Sequence, residues 1–140
     1  MKILLAVDGS EYTQRMLDYL GTHKESLGAN SSYVVLTAVF PVPPHPASFL
    51  SGPVLRGYYD DEARKVLDPI RAYLGQHGFA AEYAHRVGRP ADEICAFAEQ
   101  GGFDLIVMGS HGHGALGNLV LGSVATQVLA RCSTPVMLVR

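Results

Sequence analysis

Tryptophan is absent from this chain of 140 residues, and cysteine occurs only at Cys95 and Cys132. The two cysteines are far apart in the sequence and form no C-x-x-C pair, so the chain has neither the usual zinc-binding cysteine motif nor a disulfide framework. This use of cysteine is typical of a reducing compartment. We therefore expect a cytoplasmic protein.

An excess of charge of either sign is also missing. The chain has 11 Lys and Arg against 13 Asp and Glu, and its formal net charge is −2, which argues against nucleic-acid binding through bulk electrostatics. The N-terminal apolar run "KILLAV" ends at Asp8, too early for a signal peptide, and no segment is long enough to span a bilayer. We expect a soluble protein with neither nucleic acid nor a membrane as a partner.

Strand-like apolar segments alternate with helical patterns along the whole chain, whose length suits one domain over residues 1–140. Three of these segments are almost entirely apolar, which is typical of a parallel sheet covered by helices on both faces. The pattern predicts a three-layer, doubly wound α/β fold. The predicted strands are Lys2–Val7, Tyr33–Phe40, Ala80–Val87, Asp104–Gly109 and Pro135–Arg140.

Local signals predict where the four helices begin and end. Ser10 is a suitable N-cap for the first helix, a second is expected over Tyr58–His77, and Pro90 suits the first turn of a third that Gly101 and Gly102 end. The last helix is expected over Ser123–Arg131, with Val124, Val128 and Leu129 buried. The segment from Pro41 to Pro53 holds five of the eight prolines; a linker and a flap over a site both remain open for it.

Two predicted strands end in residues suited to ligand binding. Asp8 follows the first strand, and Gly109 ends the fourth and opens the glycine-rich stretch "GSHGHGALGNLVLGS". In doubly wound folds ligands bind beyond the carboxyl ends of the strands where the strand order reverses. A strand order of 3-2-1-4-5 would place Asp8 and Gly109 in one crevice.

The glycine-rich stretch contains a literal G-x-G-x-x-G at Gly112, Gly114 and Gly117. A dinucleotide-binding turn should follow the first strand, lead at once into a helix, and be followed about 20 residues later by an acid for the ribose. This turn follows the fourth predicted strand, another glycine comes before the helix, and residues 105–140 contain no Asp or Glu. We interpret the G-x-G-x-x-G as a coincidence of composition.

A different spacing fits phosphate binding. Gly109, Gly112, Gly122 and Ser123 stand as G-x2-G-x9-G-S. Glycine permits positive φ and a close approach of backbone to ligand, and the start of the last helix offers free backbone N–H groups to an anion. We predict that these glycines adopt positive φ and let the backbone approach the phosphate closely. Ser123 is predicted to add its hydroxyl as a further donor.

With these residues the sequence resembles the universal stress protein family, in particular its nucleotide-binding branch. The G-x2-G-x9-G-[ST] signature is matched without a gap, and "ILLAVDGS", "VGRPADEICAFAEQGGFDLIVMGSHG" and "GSVATQVLARCSTPVMLVR" extend the resemblance over the whole chain. It implies a Rossmann-like fold of the adenine nucleotide alpha hydrolase type with strand order 3-2-1-4-5. The nucleotide-contacting positions that it implies are Asp8, Ala38, Met108, Gly109, His111, Gly112, Gly122, Ser123 and Val124.

The resemblance implies an ATP-binding regulator of the stress response, with ATP, ADP or AMP in the site and Mg²⁺ held through the phosphates. A slow ATPase or nucleotide-transfer enzyme, and a dimeric module that does not use its pocket, remain alternatives. No catalytic residue is predicted, since Ser110 and His111 lack an orienting acid, and no metal site, since His111 and His113 lack a third ligand. The resemblance also implies a homodimer through the last strand, formed by Val136, Met137, Leu138 and Val139.

Overall fold

The computed structural model describes residues 1–27, 30–43, 51–114 and 118–140. The described chain alternates strands and helices from one end to the other, as the sequence predicts. The strands are β1 (Lys2–Ala6), β2 (Ser32–Val39), β3 (Ala81–Val87), β4 (Leu105–Gly109) and β5 (Val136–Val139). The helices are α1 (Glu11–Thr22), α2 (Gly52–Gln76), α3 (Pro90–Gln100) and α4 (Ser123–Arg131).

All neighbouring strands pair in parallel, in the order β3-β2-β1-β4-β5. This confirms the predicted single α/β fold and its strand order, and every predicted strand end lies within one residue of the observed one. β1 pairs with β2 on one side and with β4 on the other, so the strand order reverses at β1. The carboxyl ends of β1, β2 and β4 therefore meet at one edge of the sheet.

Side chains of the central strands alternate between two apolar layers. Ile3 and Leu5 of β1 pack with α1 and α2, whereas Leu4 and Ala6 pack with α3 and α4. All four are at most 6% exposed. Burial on both faces explains why these strands read as continuous apolar runs rather than as alternating ones.

The start of α2 differs from its prediction. The helix begins at Gly52 rather than at Tyr58, because the Ser51 hydroxyl accepts a hydrogen bond from the Val54 N–H (3.3 Å) and Pro53 occupies the first turn. Both features favour helix initiation. The predicted irregular segment 41–53 therefore ends in a helix, and its residues 44–50 lie outside the described part of the chain.

Helix burial differs from the predictions at two positions of α4, since Val124 is only partly buried against the core and Leu129 is exposed. Ala91, Ile94, Cys95 and Ala98 form the buried face of α3. In α4, Val128 is buried, but Leu129 is 46% exposed, so its predicted burial is wrong. Ala125 takes its place in the buried stripe, because the adjoining sheet ends at β5 and covers only one side of this short helix.

None of the helices in the described ranges is long and apolar enough to cross a bilayer.

Candidate functional site

A cavity of about 600 Å³ opens at the carboxyl ends of β1, β2 and β4. It extends from the glycine-rich loop after β4 to the N-terminal half of α2. The structure brings all the predicted site residues to the wall of this cavity: Asp8, Ala38, Met108, Gly109, His111, Gly112, Gly122, Ser123 and Val124.

Asp8 is held in place by the turn between β1 and α1. Its Oδ1 accepts hydrogen bonds from the Ser10 N–H (2.9 Å) and from the Thr13 hydroxyl (3.0 Å), and its own N–H donates to Thr13 Oγ1 (3.1 Å). Gly9 adopts a φ of 77°, which makes this tight turn possible. The second carboxylate oxygen, Oδ2, has no hydrogen-bond partner among the described residues and lies beside Gly112. The turn therefore fixes one oxygen and leaves the other for the cavity.

Ser10, in contrast, does not act as predicted. It occupies the N-cap position of α1 in an extended conformation, but its hydroxyl accepts no capping hydrogen bond. The hydroxyl is buried without a partner in the described part of the chain. The backbone of Ser10 serves the site instead, because its N–H fixes the Asp8 carboxylate.

The signature glycines are required for close packing rather than for positive φ, so that part of the prediction is wrong. None of Gly109, Gly112 and Gly122 has a positive φ. A Cβ atom on Gly109 would lie 2.7 Å from Tyr12 Cβ, and one on Gly112 would lie 2.7 Å from Asp8 Oδ2. A Cβ on Gly122 would lie 2.9 Å from the Cα of His111. At such distances a neighbour must shift: Tyr12 for a side chain at Gly109 and the His111 backbone for one at Gly122, whereas at Gly112 the Asp8 carboxylate would have to move.

Gly114, which belongs to the rejected G-x-G-x-x-G but not to the signature, has a different role. Gly114 adopts a φ of 71°, a left-handed conformation that glycine adopts without strain. It serves the turn after His113. Gly117 lies outside the described residues. Local chain reversal therefore accounts for Gly114, which the signature spacing leaves unexplained.

The N-terminus of α4 points its free amides at the cavity. Gly122 is the N-cap, and the first hydrogen bond of the helix runs from the Thr126 N–H to the Gly122 carbonyl (3.0 Å). The amides of Ser123, Val124 and Ala125 precede this hydrogen bond, and all three residues line the cavity. Free N–H groups at a helix start, together with the helix dipole, form an anion site.

Both histidines of the loop are engaged in holding it. His111 Nε2 lies 2.8 Å from the Leu119 carbonyl, which only accepts, so Nε2 carries the proton and Nδ1 accepts from the Ser110 hydroxyl (2.8 Å). His113 Nε2 donates to the Asp8 carbonyl (2.8 Å). No group of three metal-ligating side chains occurs in the described ranges. The geometry thus gives these histidines a role in shaping the loop around Asp8.

Sequence reasoning did not identify the wall that α2 contributes to the cavity. Tyr58, Glu62 and Val66 stand four residues apart on α2 and form one stripe along the cavity. The i, i+4, i+8 spacing of these residues is the signal in the sequence that indicates a common face. The other lining residues that the predictions do not include are Ala6, Val7, Thr13, Leu36, Thr37, Val39, Phe40, Pro90, Ile94, His113, Gly114, Leu119 and Ala125.

Comparison with known proteins gives one consistent result. The sequence model described as "Universal stress protein family" matches residues 1–140. Universal stress protein YxiE of Bacillus subtilis is 31% identical over 153 aligned residues, which cover 99% of this chain and 98% of YxiE.

Solved structures share the fold. Protein MJ0577 of Methanocaldococcus jannaschii superposes with a TM-score of 0.81 at 30% identity, covering 99% of this chain and 94% of that one. A universal stress protein crystallised in complex with cAMP superposes with a TM-score of 0.72 at 25% identity, covering 100% of this chain and 97% of that one.

Proposed function

Because this chain belongs to the universal stress protein family, we propose that its cavity binds an adenine nucleotide, ATP, ADP or AMP, and that occupancy of the cavity regulates the stress response. The observation that carries this proposal is the convergence of the signature glycines, Asp8 and the free amides of α4 on one cavity. A volume of about 600 Å³ is in the usual range for small-ligand sites.

The phosphate end of the site is the start of α4. The three free amides and the dipole of this helix attract negative charge, and each charge gains about 0.3–1 kcal/mol from an exposed helix terminus. Several amides acting together are therefore needed. The Ser123 side chain is exposed at this position, so its hydroxyl is available as a further donor to phosphate.

The opposite end suits the adenosine moiety. Val39, Phe40 and Tyr58 offer apolar and aromatic surface for a planar base, and Phe40 is 69% exposed. Ala38 precedes Val39 in β2 and also lines the cavity, so its backbone is suited to contact the edge of the base. The Asp8 Oδ2 between the two ends is suited to accept hydrogen bonds from ribose hydroxyls. The related protein in complex with cAMP supports a ligand of this class.

We propose binding rather than turnover as the output. Hydrolysis needs a base that is free to take a proton from water, and both ring nitrogens of His111 already have partners. Any Mg²⁺ would enter with the nucleotide phosphates, which suits an ion that keeps several waters and takes few protein ligands. A bound nucleotide would stabilise the loop that Ser110, His111 and His113 shape, and partner proteins would recognise that state.

The proposal extends to assembly as a homodimer through β5, formed by Val136, Met137, Leu138 and Val139. β5 is an edge strand of the sheet, and an uncovered edge exposes unpaired backbone groups. The exposed Leu129 lies on the helix directly before it. A second copy of the chain would cover both, with the twofold symmetry usual for such pairs.

Replacement of Ser123 by Asp tests the nucleotide site. A carboxylate in the first turn of α4 interacts favourably with the helix dipole, so we expect unchanged thermal stability. The same carboxylate repels phosphate, so we expect at least about a tenfold loss of affinity for AMP and ATP in calorimetry. Gln127→Glu is the matched control, since it adds the same charge to an exposed position of α4 that does not line the cavity.

Retained affinity in the Ser123→Asp variant, or no binding of any adenine nucleotide by the unmodified protein, would contradict the proposed function. A substitution at Gly122 is a poorer test, because its Cβ would displace the His111 backbone whether or not phosphate binds there.

A further inference from the structure

The two cysteines of the chain meet between neighbouring helices, although they are far apart in the sequence. Cys95 lies in the middle of α3 and is 8% exposed, and Cys132 directly follows α4 as its C-cap. Cys95 belongs to the apolar layer that α3 and α4 form against the sheet, and Cys132 packs against the same layer. Both are free thiols, and neither is among the described residues that line the cavity.

Side-chain contacts on either side of Cys132 fix this residue against α3. Arg131 forms an ion pair with Asp92, and the N–H and hydroxyl of Ser133 both donate to Glu99 Oε1 at 3.3 Å. The two carboxylates come three residues before and four residues after the cysteine of α3, so they lie on the same side of that helix as its thiol. Cys132, between the two donors, is therefore held opposite that thiol.

The two thiols also interact with each other, and their environments differ. Burial and, second to it, a side-chain hydrogen bond between the two thiols raise the pKa of Cys95 to about 12. Cys95 therefore stays protonated at neutral pH inside the apolar layer, whereas Cys132 is only partly buried. A reagent that arrives from solvent meets Cys132 first.

We infer that Cys95 and Cys132 form a reversible disulfide within one chain by exchange with a low-molecular-weight disulfide such as oxidised glutathione. The Cys132 thiolate attacks one sulfur of the reagent and releases the other as a thiol, which leaves a mixed disulfide on Cys132. The Cys95 thiol then gives up its proton, and its sulfur attacks the Cys132 sulfur and displaces the second thiol. The two cysteines lose two electrons and two protons, and the reagent gains them as two thiols.

The bond would join α3 covalently to the C-terminal end of α4. This inference does not rest on the proposed nucleotide site, since it concerns residues outside the cavity. It depends on the packing of two helices, so it should hold for the folded chain and weaken in the unfolded one.

Oxidation of the reduced protein with excess oxidised glutathione, followed by alkylation and intact mass spectrometry, tests this inference. We expect a single chain that has lost two hydrogen atoms and carries no glutathione, with the peptides of Cys95 and Cys132 joined after digestion. A reducing agent should restore both thiols. The equilibrium constant for forming the bond should be at least about tenfold lower in urea, because the unfolded chain must close a long loop to bring the thiols together.

Two matched variants separate the roles of the cysteines. Cys95→Ser should stop at a mixed disulfide that carries one glutathione on Cys132, because the second thiol is missing. Cys132→Ser should stay unmodified over the same time, because the remaining thiol is buried. Thermal denaturation shows whether each variant is folded, and the joined peptides of the unmodified protein decide the question if one of them is not.

Several results would overturn this inference. They are glutathione that remains on Cys132 of the folded, unmodified protein, a disulfide between two chains, absence of any reaction, and an equilibrium constant in urea equal to that of the folded protein. Modification of the folded Cys132→Ser variant as fast as Cys95→Ser would also contradict it, since exchange would then not begin at Cys132.

Discussion

At the scale of single residues, close contacts explain the glycines of the loop. These contacts are made with α1, with the turn before it and with the loop itself. Gly109 packs against Tyr12, Gly112 against the Asp8 carboxylate and Gly122 against His111. Ser110 between them is fully buried; its N–H donates to the Val139 carbonyl (2.8 Å) and its carbonyl accepts from the Gly122 N–H (2.8 Å). Backbone hydrogen bonds of Ser110 therefore connect the start of the loop to β5 and to the N-cap of α4.

The packing at Gly109 predicts a loss of stability on adding one methyl group. In Gly109→Ala the new Cβ would lie 2.7 Å from Tyr12 Cβ and 3.2 Å from the Tyr12 backbone, and relief of that overlap costs about 1–3 kcal/mol of unfolding free energy. Urea denaturation measures the change.

Gly57→Ala is the matched control for this experiment. Gly57 lies inside α2, and no atom lies within 4 Å of a Cβ placed there. Alanine should therefore stabilise the protein by about 0.5–1 kcal/mol, the usual helix preference over glycine. Equal effects of the two substitutions would contradict the account of Gly109.

At the scale of elements, α1 and α2 are joined by a hydrogen bond between side chains far apart in the sequence. The Tyr73 hydroxyl donates to Asp18 Oδ1 at 2.7 Å, and Gln14 donates to the same oxygen at 3.0 Å. The bond to Asp18 raises the pKa of Tyr73 to about 12, and the bond from Tyr73 lowers the pKa of Asp18. This contact connects the two helices that cover one face of the sheet.

The raised pKa of Tyr73 predicts a stability contribution that depends on pH. The folded-state pKa of Tyr73 lies above the unfolded value of 10.0. The hydrogen bond to Asp18 therefore stabilises the folded protein fully below pH 10, and this stabilisation is lost as the pH rises toward 12. Tyr73→Phe should therefore lower the unfolding free energy by about 0.5 kcal/mol at pH 9. That difference should shrink by pH 11.

Urea denaturation at both pH values measures the effect. Tyr19→Phe is a suitable control, since Tyr19 is 40% exposed and stacks on His23 in the way that Tyr73 stacks on His77. A difference between the Tyr73→Phe variant and the unmodified protein that is the same at pH 9 and pH 11 would show that the hydrogen bond to Asp18 does not carry the effect.

At the scale of the whole molecule, the backbone of β5 determines how the proposed dimer can form. The Pro135 and Val139 carbonyls accept hydrogen bonds from Ile106 and Ser110, so these residues face β4. Alternate residues of a strand direct their N–H and C=O groups to the same side. The backbone groups of Val136 and Leu138 therefore point to the open edge of the sheet.

Leu138→Pro tests the dimer without removing a hydrogen bond between β4 and β5. Proline removes the outward N–H of Leu138, so we expect monomers in analytical ultracentrifugation. Because Leu138 also packs in the core beside α3 and α4, Leu138→Ala is the control: it loses the same packing but keeps the N–H, and it should remain dimeric. A dimer in the proline variant would contradict assembly through this edge.

The sequence alone determined the class of fold, and its resemblance to the family supplied the strand order and most of the predicted site residues. Apolar runs, turn residues and glycine spacing are local signals, and they place strand ends to within one residue. The carboxyl ends of parallel strands meet at one edge, so Asp8 after β1 and Gly109 at the end of β4 were expected to share one crevice, and both line the cavity.

Only the tertiary structure decided why the signature positions are occupied by glycine. The close contacts of Gly109 with Tyr12 and of Gly112 with Asp8 join residues far apart in the sequence, and nothing local distinguishes a glycine needed for packing from one needed for positive φ. The exposure of Leu129 and the place of Glu62 in the wall likewise depend on where neighbouring elements end. Local patterns specify an element and its buried face, whereas the shape and charge of a cavity arise where separate elements meet.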